Sequence, residues 1–364
     1  MAGAVGAGGV ANLHTINTWL DTQMIDFASG ISVVAWSSDS RLFLTGHEDG
    51  GVELHRVLEG RTWVTSMRAG YSGWADQGNL LPPQVWGAFG AGPVISAALS
   101  PRDGWFLVVY ETVARVVSLK RGTRLGSFEP ESGARFTGMA HSSGRILVGQ
   151  SNGRALLASM RTRKAMAFVE AHQGFEIRSV AFSPSGRRFL IATTAGVEIW
   201  SADTLTRVGE LAGTKGAMIT SAAYASRGRP RVLVTTSSKG KGNVRVWDVP
   251  EDGAAPEEAL AFAAQFPGAS VLTPDGESLV ASKFSNTWSE QERVGIFSIK
   301  PHAWKFEFDL TRRGAPDVFL RASMYEVKLR SFSPDGEQLL SIPLKKKVMS
   351  PNQLVVYVRA TVTI

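Results

Sequence analysis

Seven times along the chain a short apolar strand runs into a turn of the form Ser-Pro-x-Gly or a worn copy of it. The copies are Ser37-Ser38-Asp39-Ser40, Ser100-Pro101-Arg102-Asp103-Gly104, His141-Ser142-Ser143-Gly144, Ser183-Pro184-Ser185-Gly186, Ala225-Ser226-Arg227-Gly228, Thr273-Pro274-Asp275-Gly276 and Ser333-Pro334-Asp335-Gly336. The middle copies start at Ser100, His141, Ser183 and Ala225, at spacings of 41, 42 and 42 residues. A fixed period of that length restricts the chain to a repeat architecture before any single residue is interpreted.

The unit from His172 to Leu211 shows what repeats. Ile177 to Ser183 alternates apolar with small or polar side chains, as a half-buried strand does, and Pro184-Ser185-Gly186 turns the chain. Arg188 to Thr193 is a second strand, Val197-Glu198-Ile199-Trp200 a third and Thr206 to Leu211 a fourth. Four short strands joined by tight turns make an antiparallel meander. Solenoids of this period are helical, and no sustained 3.6-residue period occurs here, so the sequence predicts a β-propeller.

Val244-Arg245-Val246-Trp247-Asp248 resembles the third-strand ending of the WD-repeat family, Trp200 holds the same place one unit earlier, and His172 precedes its first strand as that family's Gly-His dipeptide does. The chain is identified on these residues as a divergent, WD40-like member. The resemblance spans roughly residues 14 to 364 and implies the fold, because this fold carries many unrelated roles. Departures are visible. Only one Trp-Asp pair exists, Gly46-His47 is out of register, and the family's buried Asp before the third-strand Trp is replaced by Thr194 and Lys241. Only Asp49, ahead of His55, fits. Most blades are therefore expected to rest on apolar packing rather than on that polar network.

Seven turns predict an all-β, seven-bladed propeller of four-stranded antiparallel blades. Residues 1–13 form an N-terminal extension and 14–364 a single domain, with blades at about 31–70, 93–131, 134–170, 177–212, 219–266, 268–311 and 326–364. The last blade is one strand short, and residues 17–27 have no first-strand partner, so the N-terminal strand is expected to pair into the last blade and close the ring.

Interruptions of a repeat mark loops that serve binding faces. The segment from Tyr71 to Gly92 carries Tyr71, Trp74, Trp86 and Phe89, a candidate docking insertion because aromatic residues dominate interface hot spots. The alternative is that these aromatics fold back onto the propeller edge. Further insertions run from Phe284 to Arg293, Arg312 to Met324 and Pro343 to Asn352, the last with Lys345-Lys346-Lys347. The acidic stretch from Asp248 to Glu258 is expected to be a solvated linker.

The formal net charge is +7. Sorting the basic residues by turn shows where it sits. In the family's geometry, first-to-second and third-to-fourth strand turns share one face. In blades two to five those turns hold Arg102, Lys120, Arg121, Arg124, Arg145, Arg161, Arg163, Lys164, Arg187, Arg188, Arg227, Arg229 and Arg231 against Asp103 and Asp203, 13 basic residues to 2 acidic. Eleven of these, Arg102 and Arg145 aside, form the candidate partner-binding face. Such an arc suits an acidic partner, and Arg forks match phosphate or carboxylate. A set of solvated turns is the alternative.

No catalytic, metal or cofactor residue is assigned. The six histidines show no metal-ligand spacing, and His47, Asp49 and His55 are expected to form a structural network. Cysteine is absent, so disulfides and thiolate chemistry are excluded. No run of apolar residues is long enough for a membrane span. Without a basic leader, the expected setting is intracellular, cytoplasmic by default, with an organelle such as the mitochondrion left open.

The sequence thus predicts a non-catalytic protein–protein interaction scaffold, a subunit of a larger assembly whose partners are other proteins. The alternative is a propeller bound to RNA or another nucleic acid, in a ribosome or RNA-processing particle, through the basic face. Arg312-Arg313-Gly314 also resembles the Phe-Arg-Arg-Gly signature of phosphoinositide-binding propellers, though Thr311 precedes it and it falls one junction late.

Overall fold

A computed structural model describes residues 15–26, 29–57, 64–68, 89–237, 242–264, 270–283, 293–299, 303–308, 327–336, 338–343 and 353–363. Their regular elements are all β-strands. The first sheet holds β2 (Ile31–Trp36), β3 (Leu42–His47), β4 (Val52–Val57) and β5 (Val64–Arg68). The second holds β6 (Ser96–Ser100), β7 (Trp105–Val109), β8 (Ala114–Ser118) and β9 (Arg124–Phe128). The third holds β10 (Phe136–Ser142), β11 (Arg145–Gln150), β12 (Arg154–Ser159) and β13 (Lys164–Glu170). The fourth holds β14 (Ile177–Phe182), β15 (Arg188–Thr193), β16 (Gly196–Ser201) and β17 (Arg207–Glu210), and the fifth β18 (Ile219–Tyr224), β19 (Arg231–Thr236), β20 (Gly242–Asp248) and β21 (Glu257–Ala264). The sixth holds β22 (Val271–Leu272), β23 (Ser278–Lys283), β24 (Arg293–Ser298) and β25 (Ala303–Phe308).

The closing sheet is built from both ends of the chain. It contains β26 (Val327–Phe332), β27 (Gln338–Pro343), β28 (Gln353–Thr363) and β1 (Thr15–Asp26), in the order β1-β28-β27-β26. β1 pairs antiparallel with β28 from Thr15↔Thr363 to Asp26↔Gln353, with one bulge between Asp21 and Gln23.

Side-chain alternation explains why the sheets stack around a ring. Successive residues of a strand point to opposite faces. On β7, Phe106 and Val108 join a cluster shared with the first blade, while Trp105, Leu107 and Val109 join one shared with the third. On β11, Ile146 and Val148 face the second blade and Leu147 faces the fourth. The middle strands are therefore apolar on both faces, and each sheet must be sandwiched between two others.

This packing corrects the expectation of a seven-bladed propeller. Strand pairing gives seven four-stranded sheets, but the apolar clusters among the described residues number five. They fill the interfaces from the first blade to the sixth. The described contacts of the closing sheet's turn are polar instead. The Asp335 backbone N–H donates to Ser40 Oγ of the first blade at 3.0 Å, and Arg227 of the fifth blade donates to the Asp335 carbonyl. Uniform apolar packing around seven blades is thus not what the described residues show.

Because β1 contributes the outermost strand of the sheet that joins the two ends of the ring, its loss exposes the β28 edge. Deleting residues 1–28 is expected to lower the urea midpoint of the whole chain in one transition. An unchanged midpoint would show that β1 is an appendage.

Candidate partner-binding face

Turn geometry fixes one face of the ring. In the second to sixth blades, the N–H just after the third strand donates to the carbonyl of the first turn of the same blade. The pairs are Leu119 to Gly104 (2.9 Å), Met160 to Gly144 (2.7 Å), Ala202 to Arg187 (2.8 Å), Val249 to Pro230 (2.9 Å) and Ile299 to Glu277 (3.0 Å). The two turns of each blade are therefore bonded side by side on this face. Ser118, Ser159 and Ser201 end the third strands of three consecutive blades, and their Oγ atoms accept from the N–H of Arg121, Thr162 and Thr204. The residue that follows each of these is left-handed: Gly122 (φ 63), Arg163 (φ 57) and Leu205 (φ 56).

The basic residues on this face do two different jobs. Arg145, Arg188 and Arg231 each begin the second strand of their blade, and each reaches into the next blade. Arg145 donates to the Gly186 carbonyl at 2.8 Å and the Ala202 carbonyl at 3.0 Å, and pairs with Asp203 at 3.3 Å. Arg188 donates to the carbonyls of Pro250 (2.7 Å) and Glu251 (3.1 Å). Arg231 is 0% exposed; it donates to the Gly276 carbonyl at 2.6 Å and pairs with Glu277 at 3.2 Å and with Asp248 of its own blade at 2.6 Å. These three are clasps between blades. Arg188 and Arg231, expected from sequence to meet a partner, are spent on neighbouring carbonyls.

Two more of the expected residues are partly engaged. Arg229 is exposed but lies 3.2 Å from Glu277, and Arg227 is held by the Asp335 carbonyl. The stretch from Asp248 to Glu258 also changes place. It joins β20 to β21 and so lies on this same face, where the sequence count had left it out as a linker. Glu251 accepts from Ser185 Oγ of the fourth blade. Acid therefore accompanies the fourth to sixth blades.

The arc contracts to the second and third blades. Lys120, Arg121, Arg124, Arg161, Arg163 and Lys164 are exposed, as is Arg187 on the fourth, and none makes an ion pair with a described residue. Their two turns abut: a Cβ built on Gly126 of β9 would lie 3.4 Å from the Arg163 Cβ. Asp103 is the acid in the corresponding turns, and Ser100 Oγ donates to it at 2.6 Å.

Of the aromatic insertion, Tyr71, Trp74 and Trp86 lie outside the described residues. Phe89 is placed, and it turns inward: its ring meets Phe106 edge-on at 5.9 Å. The Arg312-Arg313-Gly314 motif and Lys345-Lys346-Lys347 also lie outside the described residues.

On the opposite face, polar networks replace the family's buried Asp. In the fourth blade, Glu198 sits two residues before Trp200 and is buried. Its carboxylate accepts from Trp200 Nε1 at 3.1 Å and lies 3.2 Å from Arg207 and 3.4 Å from His172 Nε2, while His172 Nδ1 meets Thr193 Oγ1 at 3.0 Å. The third blade joins Glu131 to Arg154, Asn152 and Gln150. In the first blade, Thr45 Oγ1 sits 3.1 Å from both His47 Nε2 and His55 Nε2. Asp49 is not part of that pair; it accepts from the Gly51 N–H at 2.9 Å. The expectation of chiefly apolar blades is thus incomplete, because in the fourth blade the buried Glu198, two residues ahead of Trp200, ties together a polar network. No cluster of three or more metal-ligating side chains occurs among the described residues.

A family model for the WD domain, G-beta repeat, matches residues 24–56 and 163–201, the first blade and the fourth. Those two stretches are similar to WD repeats. The matched units hold the two histidine networks just described, His47 with His55 and His172 with Trp200. No curated protein sequence matches this chain. Its fold is similar to the β-propeller domain of Cps50 (Swd1) from Myceliophteria thermophila, at 15% identity and a TM-score of 0.67, covering 94% of this chain and 99% of that one. It is also similar to a chain of a mitotic checkpoint complex, at 12% identity and a TM-score of 0.66, covering 99% and 98%. Among the described residues no helix is long and apolar enough to cross a membrane.

Two outcomes follow for the ring. Arg231→Met is expected to cost about 2–3 kcal/mol in urea unfolding, below the usual range for a broken buried pair because Glu277 and Asp248 reach solvent, whereas Arg187→Glu should change stability by less than about 0.5 kcal/mol. Equal effects would remove the division into clasps and surface residues. The second outcome concerns pH. Burial, with His47 beside it, lowers the His55 pKa from 6.5 to about 3, so its folded state stays neutral where the unfolded chain gains a proton. Stability is complete above pH 6.5 and falls as pH drops from there toward 3. In His55→Phe, which keeps the stacking on Phe43, this acid slope should flatten in unfolding measured across that range.

Proposed function

We propose that this WD-repeat propeller is a non-catalytic interaction scaffold within a larger assembly, and that it meets an acidic partner through the turns of the second and third blades. The observation that carries this is the contrast within one face. Where neighbouring blades need bracing, arginines are consumed by carbonyls and carboxylates. At Lys120, Arg121, Arg124, Arg161, Arg163 and Lys164 they are not.

Arg163 adds a specific argument. Its left-handed backbone costs roughly 1 kcal/mol for a residue with a Cβ; the second blade fills the equivalent position with Gly122, and the fourth with Leu205, whose side chain is packed against an apolar cluster as that of exposed Arg163 is not. Keeping an arginine there makes sense if its guanidinium is used. A protein scaffold is also in keeping with the fold's resemblance to a chain of a mitotic checkpoint complex, an assembly by its own description. Nucleic acid is the second reading, favoured by the planar forks of Arg121, Arg124, Arg161 and Arg163, which suit phosphates as well as carboxylates.

Arg163→Gly is expected to leave unfolding stability unchanged or slightly raised while weakening binding to an acidic partner. A loss of stability with binding intact would argue for a packing role. Salt dependence separates the readings: neutralising several phosphates gives a steep linear fall of log affinity with log salt, and a protein interface with an apolar centre gives a shallow one.

A further inference from the structure

Among the described side chains, the outer strand of the third blade alone exposes two large apolar residues. β13 is the outermost strand of its sheet, and Lys164, Ala165, Met166, Phe168 and Glu170 are exposed on it. Met166 is 57% and Phe168 42% exposed. Bare apolar edges invite pairing with another chain, and folded proteins usually blunt them with short strands or charge. The outer strands of the second, fourth and fifth blades expose at most one large apolar side chain each, Val208 of β17 at 49%. β17 has four residues, with Arg207 paired to Glu210; β21 opens on two exposed glutamates; β9 contributes no exposed apolar side chain. On β13 the apolar side chains are held ready instead. The Arg154 guanidinium lies 5.0 Å from the centre of the Phe168 ring and is itself bound to Glu131.

The strand also has a charge gradient. It starts at Lys164, directly after Arg161 and Arg163 of the basic arc, and runs toward the opposite face at Glu170. We propose that the β13 edge receives an extended segment of another protein as an added strand. Apolar residues at alternate positions of that segment would cover Met166 and Phe168, and its acidic residues would lie over Arg161, Arg163 and Lys164. Main-chain hydrogen bonds give such pairing its affinity and alternate side chains its selectivity. If the segment joins antiparallel, like the other strand pairs of this sheet, its acids follow its apolar residues in sequence. Nucleic acid has no strand to pair and no use for an apolar edge. The inference rests on the acidic-partner reading above and narrows it to one chemistry and one place.

Fluorescence anisotropy of the full chain tests it with five synthetic probes: a short peptide of alternating apolar residues followed by glutamates, its acid-free form, its scrambled form, its form N-methylated at alternate amides, and oligo-uridine. The alternating peptide is expected to bind about tenfold or more tighter than the scrambled and N-methylated forms, and to protect the β13 amides from hydrogen exchange. Met166→Thr with Phe168→Thr should remove that preference while leaving the unfolding midpoint in place. Equal binding of the scrambled and N-methylated peptides overturns the strand addition; because these use the unaltered chain, the result stands even if the double variant fails to fold. An acid-free alternating peptide that binds as well as the acidic one leaves the edge standing and removes the acidic-partner reading. Oligo-uridine displacing the peptide from unaltered and Met166→Thr/Phe168→Thr chains alike overturns the inference in favour of nucleic acid.

Discussion

The middle strands of the second to fifth blades are apolar on both faces, and that governs everything else. A sheet with one wet face can stand against a single partner. A sheet such as β6–β9, with Phe106 on one side and Leu107 on the other, cannot, and must lie between two more of its kind. The five described clusters are therefore interfaces between blades rather than cores of blades. The turns are left for the two flat faces.

Position within the repeat then decides what an arginine does. At the first residue of a second strand the side chain points across the seam, and Arg145, Arg188 and Arg231 each hold carbonyls of the following blade. At the tip of the third-to-fourth strand turn the side chain meets no carbonyl or carboxylate of a described residue, and Arg121, Arg161 and Arg163 stay exposed. The same residue type is structural in one register and available in the other. The basic face is consequently smaller than a count of charges suggests and confined to adjoining blades.

The first and fourth blades hold their stacked rings by different polar partners. The fourth blade keeps a histidine, a threonine and a tryptophan linked by a carboxylate, supplied by Glu198. The first blade keeps a pair of histidines around Thr45, with His55 stacked on Phe43 at 4.6 Å in the place where the fourth blade stacks Trp200 on Phe189. What persists is a ring stacked on an apolar residue with a hydrogen bond at its rim, and several residue types satisfy that requirement.

The turn period and the strand alternation were enough, from sequence, to place the strands of a WD-type propeller, because tight turns and period-two burial are local properties of the chain. They also showed which turns share a face. Three things were decided only by the tertiary structure. Apolar packing between blades, described at five interfaces with polar contacts at the closing turn, depends on pairs far apart in sequence. The division of the arginines into clasps and exposed residues depends on what lies across the seam, which composition does not register, although an arginine recurring at positions 145, 188 and 231 was a signal of packing. The bare edge of β13 emerged last. Met166 and Phe168 look like core residues in any alternating strand, and only the absence of a further strand beside them in the sheet leaves them in water.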